Sequence, residues 1–301
     1  MAGVAPSLVA VPLRRRRVAR AVSEPAWVRA LLIAVALTFL GLLLVLPVGV
    51  VLLEAFRDGP AAYLRALVEA DTLSAIRLTV TTTLIAVVVN VVFGVAAAWA
   101  VARFEFRGRE LLVTLIDLPF AVSPVISGMV FVLLFGAQGF LGPLLQEHDV
   151  RIIFAEPGLI LATTFVTFPF VARELIPFMR AQGSEEEQAA LVLGASGWQM
   201  FWRVTLPNSR WALLHALVLC SARAMGEFGA VSVVSGHIRG ETNTVPLHVE
   251  TLYGEYRFSS AFAVASLLLV VAIFALVAKR LTGRFVHDQV SSADGASPPA
   301  H

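Results

Sequence analysis

Arg223 and Glu227 lie four residues apart in an otherwise apolar run, Ser221-Ala222-Arg223-Ala224-Met225-Gly226-Glu227-Phe228-Gly229-Ala230. On a helix that spacing puts the two charges on one face, where they can pair. Ionisable groups at membrane depth are costly and turn toward a bundle interior or a wet cavity. Two readings follow: an ion pair that holds neighbouring helices together, or a guanidinium that meets an anion in transit. Ser232 and Ser235 extend the polar line, and Gly226 and Gly229 would let a second helix approach closely. The rest of the chain offers no catalytic chemistry. His148, His215, His237, His248, His287 and His301 are scattered without metal-ligand spacing and are expected to be solvated or locally bonded. Ser123 before Pro124 reads as a cap at a helix break, and no Ser/His/Asp arrangement emerges. The only lysine, Lys279, follows no glycine-rich run, so a phosphate-binding loop is missing. No metal, cofactor or enzymatic activity of the chain itself is expected, and any ATP would be used by a partner.

A second constellation is polar rather than buried. Ser184 to Pro207, SEEEQAALVLGASGWQMFWRVTLP, is a soluble-looking island. Ser184 and Glu187 have capping-box spacing and predict a helix start. Gly194 falls where a left-handed helix stop belongs. Ser196 and Gln199 repeat the start signal, with Trp198, Phe201 and Trp202 following at helical spacing and Pro207 expected to close the second helix. Ala189 and Ala190 form a small-residue side opposite an aromatic face. Two short helices with so much apolar surface need a partner, either lipid headgroups or a protein.

The elements that position these residues are membrane spans. Over 301 residues the chain is 58% hydrophobic and 15% charged, with a mean hydropathy of +0.81, which excludes a soluble domain. The single cysteine, Cys220, excludes a disulfide framework. Six spans are predicted at about 31–53, 74–101, 111–135, 158–179, 211–234 and 259–278 within a transmembrane domain 27–284. Pro119 and Pro124 should kink or break the third, and Pro169 and Pro177 should interrupt the fourth. Residues 1–26 form a basic tail with Arg14 to Arg17 and Arg20, read as the flank of an uncleaved first span rather than a nucleic-acid-binding arm. Residues 285–301 read as a disordered tail. Arginines concentrate in the tails, in the loop after span two and in the island, while alternate loops hold only Arg57, Arg65, Arg151, Arg239 and Arg257. The positive-inside rule therefore puts both termini and the island on the cytoplasmic side.

The island resembles the EAA loop (E-A-A, three residues, G, nine residues, I-x-L-P) of permease subunits in bacterial ABC importers. The match lies on Gln188-Ala189-Ala190, Gly194 and Val204-Thr205-Leu206-Pro207. The resemblance implies that the loop docks on an ATPase, with Gln188, Ala189, Ala190, Gly194, Trp198, Phe201 and Pro207 as coupling residues. Gln188 departs from the family's glutamate. Glu187 is not expected to replace it, because one residue is a rotation of about 100° around a helix.

Three further segments are similar to the sulfate/thiosulfate permease family: Asp117 to Val125, Leu193 to Phe201, and Ala224 to Gly236 with Ile238 to Thr242. This resemblance spans roughly Leu31 to Arg284. It implies an all-α permease of the type I ABC importer fold in the bacterial inner membrane. Such an importer has two ATPase subunits, a second and similar permease, and a periplasmic or lipid-anchored sulfate-binding protein. Arg223, Glu227 and Ser232 would belong to the translocation pathway. The GEFGA element also occurs in molybdate permeases, so molybdate/tungstate import is the alternative. A secondary transporter driven by an ion gradient predicts inverted repeats, and none is clear. An intramembrane enzyme needs a nucleophile or metal constellation, which is missing from the sequence.

Overall fold

A computed structural model describes residues 25–295. Most of the basic tail and the last six residues, expected to be disordered, lie outside the described residues. The chain forms two units that meet at Gly49 and Val50. The first is helical from Ala26 onward and contributes the start of a long apolar helix, α1 (Trp27–Ala55). The second unit contains the remaining elements.

After the short α2 (Pro60–Val68) comes α3 (Ala70–Arg103), the second span. The third span is two helices, α4 (Arg109–Ala121) and α5 (Pro124–Phe135), bent by 105°. The cause is local: Val122 and Ser123 are both extended, with ψ of 134° and 135°, as the residue before a proline must be. Ser123 makes no side-chain cap; its carbonyl instead accepts from the Ser127 hydroxyl at 3.2 Å. A short α6 (Gly142–Glu147) precedes α7 (Glu156–Gln182), the fourth span. Contrary to the sequence expectation, α7 runs unbroken through Pro169 and Pro177. Bundle neighbours can hold a helix together where a proline removes one donor.

The fifth span also departs from expectation. It is not one helix but α10 (Arg210–Met225) and α11 (Gly229–Ser235), bent by 49° at Gly226-Glu227-Phe228. Before it lie α8 (Glu185–Val192) and a helical segment α9 (197–208). A short α12 (Val245–Gly254) leads into α13 (Phe258–Gly295). Residues 285–295 thus extend the last helix, where a disordered tail was expected.

Within the second unit, α7 is the central post, packed against α3, α10, α4 and α11. Helices in lipid gain little from apolar burial against one another, so close approach through small residues matters. On α3, Ala75, Ala86 and Ala98 are fully buried. Gly94 lies so close to α7 that a Cβ there would sit 2.8 Å from the Val171 Cβ. A polar knot ties three helices at this depth. The Asn90 side-chain amide donates to Thr167 Oγ1 at 2.8 Å, and Cys220 Sγ lies 3.8 Å from the Thr167 carbonyl. The other face of α3, with Leu84, Val88 and Val92, is exposed, as lipid contact requires.

Candidate functional site

The island folds as a helix, a turn and a helix on the ends of three spans. Gly194 has φ +88° with open space around it, and it reverses the chain between α8 and α9. The Ser196 capping box is complete: the Gln199 N–H donates to Ser196 Oγ at 3.3 Å, and the Ser196 N–H donates to Gln199 Oε1 at 3.0 Å. The Ser184 box is not formed. Ser184 Oγ accepts from the Gln188 side-chain amide at 2.8 Å, on the exposed side of α8.

Glu187 has turned inward. Its carboxylate is 9% exposed and meets Arg103 Nε, at the end of α3, at 2.6 Å. Thr205 Oγ1 donates to its other oxygen at 2.7 Å. Arg103 Nη1 donates in turn to the Met179 carbonyl, in the last turn of α7, at 2.6 Å. One buried ion pair thereby joins α3, α7, α8 and α9. The acidic position expected to be lost with Gln188 is not replaced on the same helix face; its neighbour makes a separate bond within the chain.

The second helix does not close at Pro207. Its 201–205 stretch is π-helical, with the Leu206 N–H bonded to the Phe201 carbonyl, and helix continues to Asn208. Pro207 lacks the N–H that an α-helical ladder needs here, and it sits in the first turn of the segment that follows. Ser209 then leads directly into α10.

The surface of the island is apolar where it is open. Val192 and Leu193 are each 87% exposed and Trp198 is 68% exposed, with Leu191 and Trp202 beside them. Ala189 is exposed, Ala190 half-buried, and Pro207 exposed. Phe201 differs from its expected place on the outer aromatic face. It is half-buried, with its ring 4.8 Å from Trp99 of α3.

The second site is the corner of the fifth span. Arg223 Nη1 and Glu227 Oε2 are 2.6 Å apart, with the arginine side chain 35% exposed and the glutamate 1%. The pair spans the end of α10 rather than one helix face, because the helix stops at Met225. Glu227 Oε1 accepts from the Ala230 N–H at 3.0 Å and so caps the first turn of α11. Gly229 packs against the other broken span: a Cβ there would lie 3.0 Å from the Pro124 Cβ. Gly226 has no such close neighbour and only ends its helix. The half-buried Ser232 donates to the Gly229 carbonyl at 2.9 Å, and the buried Ser235 to the Thr242 carbonyl at 2.7 Å. The two helix breaks are therefore neighbours, with a partly open guanidinium beside them.

At the opposite end from the island, Arg257 grips Glu69 through two hydrogen bonds of 3.1 and 2.8 Å. That bond lowers the Glu69 pKa, and the same pairing raises that of Arg257. His248 is buried beside them and bonded to Thr72 Oγ1 at 3.0 Å, and burial lowers its pKa. No group of three metal-ligating side chains exists among the described residues.

Sequence reasoning missed two charged features. The Arg103 partner of Glu187 could not be foreseen from spacing. Arg173-Glu174, an ionisable pair of residues inside an apolar run, was a visible signal.

Residues 90–288 match the family described as binding-protein-dependent transport system inner membrane component. Over 255 residues the chain is 52% identical to the sulfate transport system permease protein CysW of Escherichia coli K12, covering 85% of this chain and 88% of that protein. The CysW protein of Synechococcus elongatus is 46% identical over 281 residues, covering 92% and 98%. The CysT permease protein of Escherichia coli K12 is 33% identical over 241 residues, covering 80% and 87%. Among solved structures, a chain of a bacterial alginate ABC transporter, crystallised with its alginate-pentasaccharide-bound periplasmic protein, superposes with a TM-score of 0.70. The match covers 86% of this chain and 95% of that one at 18% identity, so it concerns the fold alone.

Proposed function

The chain belongs to the family of binding-protein-dependent transport system inner membrane components, and from that premise we propose that it is the permease subunit of an ATP-driven importer of sulfate and thiosulfate. The observation that carries this reading is the 52% identity to CysW along 85% of the chain. Its role is transport rather than catalysis, with ATP hydrolysed by a pair of separate ATPase subunits. The weaker relationship to CysT, at 33% identity, supports a second permease of that kind as its partner in the membrane. An external sulfate-binding protein would deliver the anion, in line with the family's description.

The geometry supports a division of labour. The exposed Val192, Leu193, Trp198 and Trp202 surface fits a protein partner better than lipid headgroups, because it lies on a turn braced by the buried Arg103–Glu187 pair. An ATPase closing on ATP would push on this turn. The push would pass through Glu187 to the ends of α3 and α7, and through α9 directly into α10. At the far end of α10 stands Arg223, partly open and close to the junction of the two broken spans. The arginine distribution supports the island and both termini on the cytoplasmic side.

The test is uptake of labelled sulfate by the assembled complex, with unlabelled thiosulfate and molybdate as competitors. Sulfate and thiosulfate should compete with each other and require hydrolysable ATP. Preferential inhibition by molybdate would favour the molybdate/tungstate reading. Uptake without an ATPase that collapses with the proton gradient would favour an ion-driven carrier.

A further inference from the structure

Arg173 lies inside α7 and faces α4, where its Nε is 3.4 Å from Asp117 Oδ1 and its Cζ is 5.1 Å from the centre of the Phe120 ring. Phe120 is itself braced edge-on by Phe170 at 5.3 Å. The arginine side chain is 57% exposed and the aspartate 41%. With the island cytoplasmic, α7 descends toward the cytoplasm and α4 rises from it. Arg173 is then about 14 Å above the end of α7, and Asp117 about 12 Å above the start of α4, at a rise of 1.5 Å per residue. Half-open charges at that depth cannot face hydrocarbon. Nor does Arg173 reach back to the nearer membrane surface. Helical Cα–Cβ bonds tilt toward the N-terminus, which for α7 is the outer side, and the guanidinium lies on a ring deeper than its carboxylate partner.

We propose that Arg173 is an inward oxyanion station of the translocation pathway, binding a tetrahedral divalent oxyanion after it leaves Arg223. This rests on the permease reading above. Thr167 of α7 and Cys220 of α10 are in contact. Arg173 is six residues below that level and Arg223 three above it, so the two arginines are about 13 Å apart along the helix axes. Asp117 occupies only the Nε edge of the guanidinium. Arg173 Nη1 and Nη2 donate no hydrogen bond among the described residues, leaving the bidentate edge that suits two oxygens of such an anion. Phe120 lies beside the guanidinium at 5.1 Å, and the carboxylate at 3.4 Å opposes its charge. The anion is thus held by directed donors and released easily. Glu174, the next residue, is turned about 100° away around α7.

The experiment uses the complete complex in proteoliposomes, with sulfate uptake, assembly and ATP hydrolysis measured together. Arg173→Cys should assemble and hydrolyse ATP but lose about tenfold or more in uptake, the scale set by losing charged hydrogen bonds. Treatment with the ammonium-bearing aminoethyl methanethiosulfonate should restore a positive charge and part of the uptake. The sulfonate-bearing reagent should not, and wild type, whose one cysteine is buried, should respond to neither. Arg173→Lys, which keeps the charge but loses the two-pronged edge, should retain only part of the uptake. Normal uptake by untreated Arg173→Cys would overturn the proposal. So would equal recovery with both reagents, no recovery with either, or failure of the variant to assemble, which would make Arg173 an interface strut. A wild-type complex that takes up no sulfate would sink the substrate reading instead.

Discussion

Arg103 and Glu187 meet at 2.6 Å in a site where both side chains are about nine-tenths buried. The pair fixes the turn of the island to the ends of two spans. Removing one partner of such a pair leaves an uncompensated charge and costs about 3–5 kcal/mol. Arg103→Ala and Glu187→Ala should each lower the unfolding temperature of the detergent-purified complex and reduce uptake per ATP hydrolysed. Arg103→Met with Glu187→Leu should recover stability better than uptake. Uptake per ATP equal to wild type in both single variants would mean that this brace transmits nothing.

The corner pair separates stability from position. Glu227 is 1% exposed and caps α11, whereas Arg223 is partly open. Arg223→Ala strands a buried carboxylate, a loss of about 3–5 kcal/mol. It should be more destabilising than Glu227→Ala, which loses the pair and a cap worth about 1 kcal/mol but leaves only a partly open guanidinium. Arg223→Ala should be partly rescued by Glu227→Gln, which removes the stranded charge but keeps an acceptor for the Ala230 N–H. Thermal unfolding of the four proteins checks the order.

Gly194 and the aromatics test docking. At φ +88° asparagine is tolerated and a β-branched side chain is strained. Gly194→Val should therefore recover less ATPase than Gly194→Asn while reaching the membrane at similar levels. Trp198→Ala should weaken ATPase binding by about 2 kcal/mol, as the loss of an interface anchor does. Phe201→Ala should behave differently, costing about 1–3 kcal/mol of the chain's own stability, because its ring packs on Trp99. Pull-down and thermal unfolding side by side distinguish the two.

Acid should loosen the end opposite the island. His248 is held neutral by burial, so its pKa lies below 6.5, and Glu69 is held charged by Arg257, so its pKa lies below 4.5. In both cases the unfolded chain binds more protons, and stability falls as pH falls. The histidine contribution is lost below 6.5 and the glutamate contribution below 4.5. Unfolding temperatures between pH 7.5 and 5 should fall less steeply for His248→Asn than for wild type. Glu69→Gln should change the slope only in the more acidic range.

The spans were legible because a membrane forces long apolar runs, and the break at Ser123 because a proline marks it. The break at Gly226-Glu227-Phe228 has no proline, and apolar residues continue on both sides, so the fifth span read as one helix. Pro169 and Pro177 misled in the opposite sense, since neighbouring helices keep α7 intact. Glu187 had two possible partners, and only the local one, Ser184, was visible in sequence. The tertiary partner Arg103 won because a buried charge needs a counter-charge more than a helix start needs a second cap. Phe201 was misread for a related reason: its inward neighbour, Trp99 of α3, is distant in sequence.

The π-turn at 201–205 also sets the phase of the fifth span. A stretch with i to i+5 bonds holds one residue more than α-helix would over the same turn. It lies between the aromatic surface and the helix that ends at Arg223. If 201–205 rewound to α-helix, everything beyond it would turn by about 100° and advance by about 1.5 Å, with no loop lengthened and no span unfolded. This one extra residue therefore sets which sides of α10 its side chains present to the rest of the bundle.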